Sequence, residues 1–317
     1  MKTSADKYAF SKTEIKTLKE LSKGNYELST IQTTLNIKPS RLTYNLKKLQ
    51  TKDIIKITRK GAKKQVTFSN TKHAALLKNL LSIYDYVDWE NILKDKAIKI
   101  LSQISTNSNN NADVARNTLW RYIKDFKSRG IITQKGKINP QFRALTEFLA
   151  EYKHFFVQKI AEELSDNSVI LWQHDLELLI RTPKTIKAPN RNFQKTATSI
   201  FPHYDLPLFS NFDFYFYSTT KTLIKPEDAI LHTLLIEQGN VRYSTYTLLL
   251  LKKMEKQIDQ TYLQREAKHY GLENQVESML EFLQTHIHPN DEHLLLTWEE
   301  FTEKAREYGV MTSKINV

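Results

Sequence analysis

PSRLTYNLKKLQT, residues Pro39 to Thr51, is the stretch of sequence that decides the fold of the first part of the chain. Proline is tolerated at the first helical position, and Leu42, Leu46 and Leu49 recur at i, i+4 and i+7, which predicts one buried stripe. The opposite face carries donors and cations: Ser40, Arg41, Thr43, Tyr44, Lys47 and Lys48. Such side chains suit base edges and phosphates, so the segment predicts an amphipathic helix with a nucleic-acid-binding face.

The residues on either side complete a small module. Ser11 and Glu14 have capping-box spacing, which predicts the start of a helix that carries Ile15, Leu18 and Leu21 on one face. A shorter helix containing Ile31 follows. After Thr51, two β-rich segments (54–57 and 66–68) flank a lysine-rich turn and predict a hairpin.

This order, three helices and then a hairpin with a basic tip, resembles the winged helix-turn-helix family. The resemblance implies that Pro39–Thr51 is the recognition helix, that its base-reading residues are Ser40, Arg41, Thr43 and Tyr44, and that double-stranded DNA is the partner. The expected phosphate contacts are Lys38, Lys47, Lys48, Arg59, Lys60, Lys63 and Lys64. The alternative is a three-helix domain with a solvated polar face.

Charge is distributed unevenly along the 317 residues. The net charge is +12, but the first 150 residues carry +17 and residues 151–317 carry −5. A cationic lobe attracts polyanions, although a lysine-rich surface can also serve solubility alone.

The chain has no cysteine, which excludes disulfide scaffolds and thiolate metal sites. No apolar run is long enough for a membrane span and no signal peptide is present, so we expect a soluble, cytoplasmic protein.

Residues 94–150 repeat the architecture in a degenerate form. The stripe Leu119, Ile123 and Phe126 matches that of the first module, and residues 128–132 match a helix stop and the first strand of a wing. The outward residues are Asn117, Thr118, Trp120, Arg121 and Lys124. We interpret the segment as a second, weaker winged helix, which contacts DNA or another protein. Residues 71–93 are interpreted as a helical linker, with a dimerisation helix as the alternative.

The acidic part, residues 151–317, mixes strands and helices. Residues 168–181 and 212–217 are rich in β-formers, and helices return from Pro226 onward. The segments PEDAILHTLL (226–235), RYSTYTLLLLKK (242–253) and IDQTYLQREAKHYGL (258–272) resemble the C-terminal half of nucleotidyltransferase-like antitoxin domains, over residues 168–285. Such domains follow helix-turn-helix modules in archaeal and bacterial regulators. The resemblance implies a regulatory or interaction module.

Catalysis, by contrast, has little support in the sequence. No glycine lies between Gly136 and Gly239, so the strand region lacks a glycine-rich phosphate cradle. Asp175 and Glu177 have the spacing of paired metal ligands on one strand, with Asp205 and Asp213 as further carboxylates, but an acidic strand edge explains them equally well. Three histidines near the C-terminus (His286, His288 and His293, with Asp291) are interpreted as a connecting loop. We expect no catalytic site, metal or cofactor.

The predicted fold class is mainly α with small β elements (α+β). Two winged helix-turn-helix domains (1–70 and 94–150, joined by 71–93) are followed by an α+β nucleotidyltransferase-like domain (151–317) that ends in a helical bundle. The protein is predicted to be a sequence-specific DNA-binding transcription regulator. Residues 151–317 are predicted to bind a second copy of the chain or a protein partner (toxin or effector). The alternatives are an autoregulating antitoxin, a replication initiator and a nucleotidyltransferase. The aromatic segment 201–217 is interpreted as core strands, with a base-stacking platform as the alternative.

Overall fold

The computed structural model describes residues 8–24, 26–61, 63–106, 114–184, 186–288 and 295–310. The side chains of Lys60 and Lys63 lie outside this description. The chain divides into two units, Met1–Ile160 and Ala161–Val317. The finer boundaries predicted after residues 70, 93 and 150 stay predictions.

The regular elements described in the first unit are helices and one two-stranded hairpin. Its elements are α1 (Lys12–Ser22), α2 (Leu28–Leu35), α3 (Pro39–Thr51), β1 (Ile55–Lys60), β2 (Lys63–Phe68), α4 (Lys72–Ile83), α5 (Trp89–Ile92), α6 (Asp95–Ser105), α7 (Arg116–Ser128) and α8 (Arg143–Leu164). The capping box of α1 forms as predicted, since Ser11 Oγ accepts from the Glu14 amide and Glu14 accepts from the Ser11 amide. The predicted bounds of α3 are confirmed.

The core of the first three helices and the hairpin is built from the predicted apolar stripes. Its buried side chains include Ile15, Leu18, Leu21, Ile31, Leu42, Leu46, Leu49, Ile54, Ile55 and Val66. Each buried leucine contributes about 1.5–3 kcal/mol by leaving water. Helix α4 packs on α1 and β2, so residues 72–83 contribute to this core and do not serve only as a connection.

Aromatic rings join the start of the chain to α8. The Tyr152 hydroxyl donates to the Tyr8 carbonyl at 2.9 Å, and the Tyr8 and Phe10 rings stack on the Tyr152 ring with centroids 4.9 and 5.3 Å away. All three rings are buried. The long helix predicted over residues 141–164 is confirmed from Arg143 onward, after a 3₁₀ turn at Pro140–Phe142.

The wing predicted after α7 is reduced to a single antiparallel β-bridge around a short turn. Ile131 and Ile132 are buried, but Ile132 makes only a single β-bridge to Ile138. Gly136 turns the chain back after a few residues, so too little extended backbone remains for a ladder. Phe126 is fully buried, whereas Leu119 and Ile123 are only half-buried, so the predicted stripe is partial. The predicted asparagine loop falls largely on residues 107–113, outside the described residues.

The second unit combines a four-stranded antiparallel sheet with helices. The strands are β3 (Val169–His174), β4 (Glu177–Pro183), β5 (Phe193–Lys195) and β6 (Phe212–Tyr217), in the order β3-β4-β6-β5. The helices are α9 (Pro226–Leu234), α10 (Val241–Lys253), α11 (Gln260–Tyr270), α12 (Glu273–Thr285) and α13 (Trp298–Glu307). Helix α13 starts with the predicted capping box of Thr297 and Glu300. The described residues confirm the predicted α+β class.

One prediction about the sheet is wrong. Asp175 and Glu177 do not share a strand, because Asp175 adopts φ 51° in the turn between β3 and β4, with His174 paired to Glu177. Aspartate tolerates this left-handed conformation, so the apolar run from 168 to 181 folds back on itself as a hairpin. The buried side chains of β6, Phe214 to Tyr217, confirm the interpretation of that segment as a core strand.

Among the described residues, His73 in the first unit and His232 in the second are buried as neutral rings. His73 Nε2 lies 3.0 Å from the Lys52 carbonyl, and His232 lies between the Thr196 hydroxyl (2.6 Å) and the Tyr270 hydroxyl (2.9 Å). Burial lowers the pKa of both imidazoles, most strongly that of His232. The protein therefore holds both rings uncharged at pH values at which an unfolded chain would protonate them.

We expect the free energy of unfolding to fall as the pH drops below about 6.5, by up to about 1.4 kcal/mol per pH unit for each histidine. The unfolded chain binds a proton at each ring in this range, whereas the folded chain does not. Urea unfolding at a series of pH values measures this slope. His232→Gln should reduce it, while His203→Gln, at an exposed position, should leave it unchanged. Equal slopes for wild type and His232→Gln would contradict the assignment.

Candidate nucleic-acid interface

Helix α3 is placed by a tight turn with α2. Asn36 ends α2 in the left-handed region (φ 47°), which asparagine adopts more readily than most residues. Lys38 is extended, and Pro39 begins α3. Because Leu42, Leu46 and Leu49 are buried against the rest of the module, the opposite face of α3 is left to solvent.

The predicted base-reading side chains all lie on this open face. Ser40, Arg41 and Thr43 are exposed, and Tyr44 keeps 54% of its surface accessible. Lys38 and Lys47 are exposed beside them, while Lys48 is half-buried with its Nζ 4.7 Å from the centre of the Tyr44 ring. The exposed face of α3 therefore offers hydroxyl groups, one guanidinium group and a phenol ring with a lysine ammonium group over it.

Arg41 is held by a contact that the sequence did not indicate. Its Nη2 donates to Thr13 Oγ1 on α1 at 3.2 Å, 28 residues away. A hydrogen bond at this end of the guanidinium restricts the side chain and leaves its other donors for a ligand. No local signal identifies Thr13, because the contact arises only when α1 and α3 pack together.

The hairpin places cations directly opposite one another. Arg59 pairs with Lys64, and Lys60 pairs with Lys63, in the antiparallel register. Arg59 and Lys64 are exposed, and no carboxylate pairs with either within the described residues. Like charges at directly opposed positions destabilise a β-hairpin. The hairpin therefore keeps a destabilising charge arrangement, which a bound polyanion would relieve.

We expect Lys64→Thr to stabilise the protein slightly, by up to about 1 kcal/mol, because threonine favours strands and the substitution removes one of two opposed charges. If the face binds a DNA duplex, as proposed below, the same change should weaken that binding several-fold. Urea unfolding and a gel-shift titration on one preparation test the two effects together. Lys56→Thr, at an exposed position of β1 opposite Thr67, is the control for strand propensity. A loss of stability in Lys64→Thr would contradict the charge argument.

The second predicted set lies on α7. Asn117, Arg121 and Lys124 are exposed, Thr118 is half-buried, and Trp120 keeps 63% of its surface accessible. Lys124 Nζ lies 5.1 Å from the centre of the Trp120 indole. These side chains share an open helix face, and the wing that follows them amounts to the single bridge between Ile132 and Ile138.

One basic residue of the first module, Lys52, is buried. Lys52 lies at the end of α3 with its side chain 4% exposed, and its Nζ donates to Glu14 Oε1 at 2.6 Å. Burial lowers the pKa of Lys52, and the Glu14 carboxylate acts against this shift. Lys52 is therefore a structural cation that contributes little to an external electrostatic field.

The carboxylates considered for catalysis have separate partners in the second unit. Glu177 accepts from the Ser218 hydroxyl (3.0 Å) and lies 3.2 Å from His269 Nε2, and Asp213 pairs with Lys195 at 2.9 Å. Asp205 is exposed in a left-handed turn. Within the described ranges, no three acidic or histidine side chains are grouped to hold a metal ion. Of the C-terminal histidines, His286 stacks on Trp298 and His288 contacts the Leu295 carbonyl, while His293 and Asp291 lie outside the described residues.

A buried ionic network in the same unit was not predicted. Lys221 Nζ contacts Asp228 Oδ1 at 2.6 Å and Glu266 Oε2 at 3.0 Å, and the Tyr262 hydroxyl donates to Asp228 at 2.9 Å. Burial opposes the charge of Lys221, but Tyr270 and Asp228 raise its pKa above the ordinary value. Lys221 thus stays protonated and ties the start of α9 to α11, which is a structural role.

Comparison with known families gives a match to the C-terminal part of the chain. Residues 190–310, from just before β5 to the residues after α13, match an archaeal-type family described as "HVO_2833_C, C-terminal". The match covers less than half of the chain. Neither a search of curated proteins nor a search of solved structures found a match. In the part of the chain that the structure describes, every helix is too short or too polar to cross a membrane.

Proposed function

We propose that this chain is a sequence-specific, double-stranded DNA-binding transcription regulator. In this proposal residues 1–70 form a winged helix-turn-helix, with α3 in the major groove and the β1–β2 hairpin as the wing. The observation that carries the proposal is the division of α3 into a buried leucine stripe and an exposed face with Ser40, Arg41, Thr43 and Tyr44.

Base reading is assigned to the exposed face of α3. A guanidinium that donates two hydrogen bonds to O6 and N7 of guanine is the commonest specific contact in the major groove, and Arg41 is the arginine on this face. Its hydrogen bond to Thr13 limits the directions in which the remaining donors point. Ser40 and Thr43 supply short donors to base edges or phosphate, and Tyr44 adds an aromatic surface.

Phosphate neutralisation is assigned to the lysines and the arginine that surround this face. Lys38 and Lys47 flank the base-reading residues along α3, and Arg59 and Lys64 extend the positive surface onto the hairpin. Lys48, Lys60 and Lys63 complete the proposed set. Opposed cations at the hairpin are unfavourable in the free protein, which supports a polyanionic partner.

The remaining parts receive roles by the same proposal. Residues 94–150 act as a degenerate winged helix, in which Trp120, Arg121 and Lys124 contact DNA more weakly than α3 does. Residues 151–317 act as a nucleotidyltransferase-like regulatory or oligomerisation body without catalysis, through which a second copy or a protein partner binds. The protein is cytoplasmic in this proposal.

A salt titration of DNA binding tests the proposal. With about six to eight phosphate contacts, the logarithm of the association constant should fall against the logarithm of the salt concentration with a slope of about −5 to −7. Arg41→Ala should reduce the preference for a selected duplex over random DNA by about 1–3 kcal/mol, whereas Lys64→Gln should weaken both alike. A slope near zero would remove the phosphate contacts, and identical behaviour of the two variants would remove the base-reading role.

A further inference from the structure

A polar cavity of about 470 Å³ lies in the second unit, between the end of β4 and the first turn of α10. Its walls include three cationic side chains and four aromatic ones: Arg181, Lys184, Arg242, Phe209, Phe212, Tyr243 and Tyr246. The volume is in the range of sites that hold small molecules. None of its lining residues belongs to the set assigned above to DNA contacts.

Three cations line the cavity, and no carboxylate does. No aspartate or glutamate pairs with these side chains within the described residues. The Arg181 guanidinium lies 4.7 Å from the centre of the Phe212 ring, and Arg242 Nε donates to the Tyr246 hydroxyl at 2.9 Å. By contrast, Lys195 and Lys221 in the same unit each contact a buried carboxylate.

The positive charge of this cavity is local. Residues 151–317 carry −5 overall, so the cavity is a cationic patch in an acidic region. Burial raises the pKa of the Tyr243 phenol, with Glu237 acting in the same direction, while Arg242 and Arg181 act against it. Both guanidinium groups therefore lie within electrostatic range of one hydroxyl in the cavity wall.

Aromatic side chains give the cavity a second kind of contact. Phe209 leaves 90% of its surface in solvent, the highest fraction among the exposed large apolar residues described. The main-chain hydrogen bond from the Lys184 amide to the Asn211 carbonyl (3.2 Å) ties the segment that carries Phe209 to the end of β4. An exposed phenyl ring beside several cations is suited to stack on a flat ring whose charged group they bind.

We propose that this cavity binds a small anion that carries a flat aromatic ring, of which a phosphate monoester is the best match. Three cations exceed what a single carboxylate needs, whereas a phosphate monoester carries nearly two charges and three acceptor oxygens. Arg181, Lys184 and Arg242 hold the phosphate, and Phe209 covers the ring. Ligand binding is independent of the DNA-binding proposal; only a regulatory effect of the ligand on DNA binding rests on it.

Isothermal titration of the full chain, without DNA, tests the site. The probes are AMP and phenyl phosphate, which carry both a ring and a phosphate, and inorganic phosphate and adenosine, which each lack one of them. AMP or phenyl phosphate should bind saturably, and the two incomplete probes at least about tenfold more weakly. Benzoate distinguishes a carboxylate from a phosphate source and should also bind at least about tenfold more weakly than phenyl phosphate.

Substitutions inside and outside the cavity test whether the probes bind there. Arg242→Gln and Lys184→Gln, both at exposed positions, should each weaken AMP or phenyl phosphate binding about tenfold. Lys268→Gln, an exposed position outside the cavity, and Lys64→Thr, on the hairpin, should leave it within about twofold. The proposal is overturned if neither complete probe binds saturably up to about 5 mM, if inorganic phosphate or benzoate binds as tightly as the complete probes, or if the cavity variants bind like wild type.

Discussion

Replacing Lys38, Lys47, Arg59 and Lys64 together with glutamine is expected to lower duplex affinity about 10³-fold or more at 0.1 M salt. Each cation that neutralises a phosphate contributes nearly one power of ten at this salt concentration through counterion release. The salt slope should become less steep by about 3 to 4. The four side chains are exposed and pair with no carboxylate in the described residues, so the fold should be retained.

A matched charge change elsewhere is the control. Lys78, Lys96, Lys256 and Lys268 are exposed and lie outside α3 and the hairpin, and their replacement by glutamine lowers the net charge equally. This variant should stay within about fivefold of wild type, because charges that contact no phosphate act only through solvent, where salt at 0.1 M screens them. If both variants lost affinity equally, net charge alone would explain binding, and the assignment of an interface to α3 and the hairpin would be wrong.

Glu14→Gln is expected to lower the free energy of unfolding of the first unit by about 3–5 kcal/mol. The substitution preserves an acceptor for the Ser11 amide but leaves the Lys52 ammonium, 4% exposed, without its anionic partner. Release of the Lys52 proton would relieve part of this cost, because burial lowers the pKa of that group. Urea unfolding, with hydrogen exchange of the α1 amides as a local probe, measures the loss.

The double variant Glu14→Gln, Lys52→Met tests whether the lost stability comes from the unpaired charge of Lys52. Removing both charges should restore most of the stability lost in the single variant, because an apolar side chain of similar size avoids the cost of a buried charge. Lys16→Met, on the same helix, removes a more exposed ion pair with Glu90 (3.7 Å) and should change stability by less than about 1 kcal/mol. A loss below about 1 kcal/mol in Glu14→Gln would show that the buried pair is unimportant.

The parts of the fold that were predicted correctly depend on short-range patterns. The bounds of α3 follow from Pro39 and a leucine stripe within thirteen residues, and the cap of α1 follows from two residues three apart. Strand β6 was equally clear, because five of its six residues are aromatic β-formers. Local rules suffice wherever the stabilising contacts lie within one or two turns of the chain.

The features that were predicted wrongly, or not at all, depend on turns and contacts that short-range sequence patterns do not show. Asp175 looked like a strand residue because neither glycine nor proline marks the turn, and the apolar run continues across it. Ile131 and Ile132 have the composition of a strand, but the chain turns back after a few residues, so only one β-bridge forms. Lys52 is one of many lysines in the sequence, and its burial depends on Glu14, 38 residues away. The cavity at Arg181 and Arg242 likewise combines residues about sixty positions apart, from a strand and a helix.

The hydrogen bond between Arg41 and Thr13 has a consequence for how such proteins diverge. Under the proposed function, the helix that touches the bases does not alone decide which sequence is preferred, because a neighbouring helix fixes the direction of its arginine. A change of Thr13 to valine would free the guanidinium while every groove-facing residue stayed the same. Relatives with identical α3 sequences would then recognise different operators, and a recognition code inferred from α3 alone would assign them the same one.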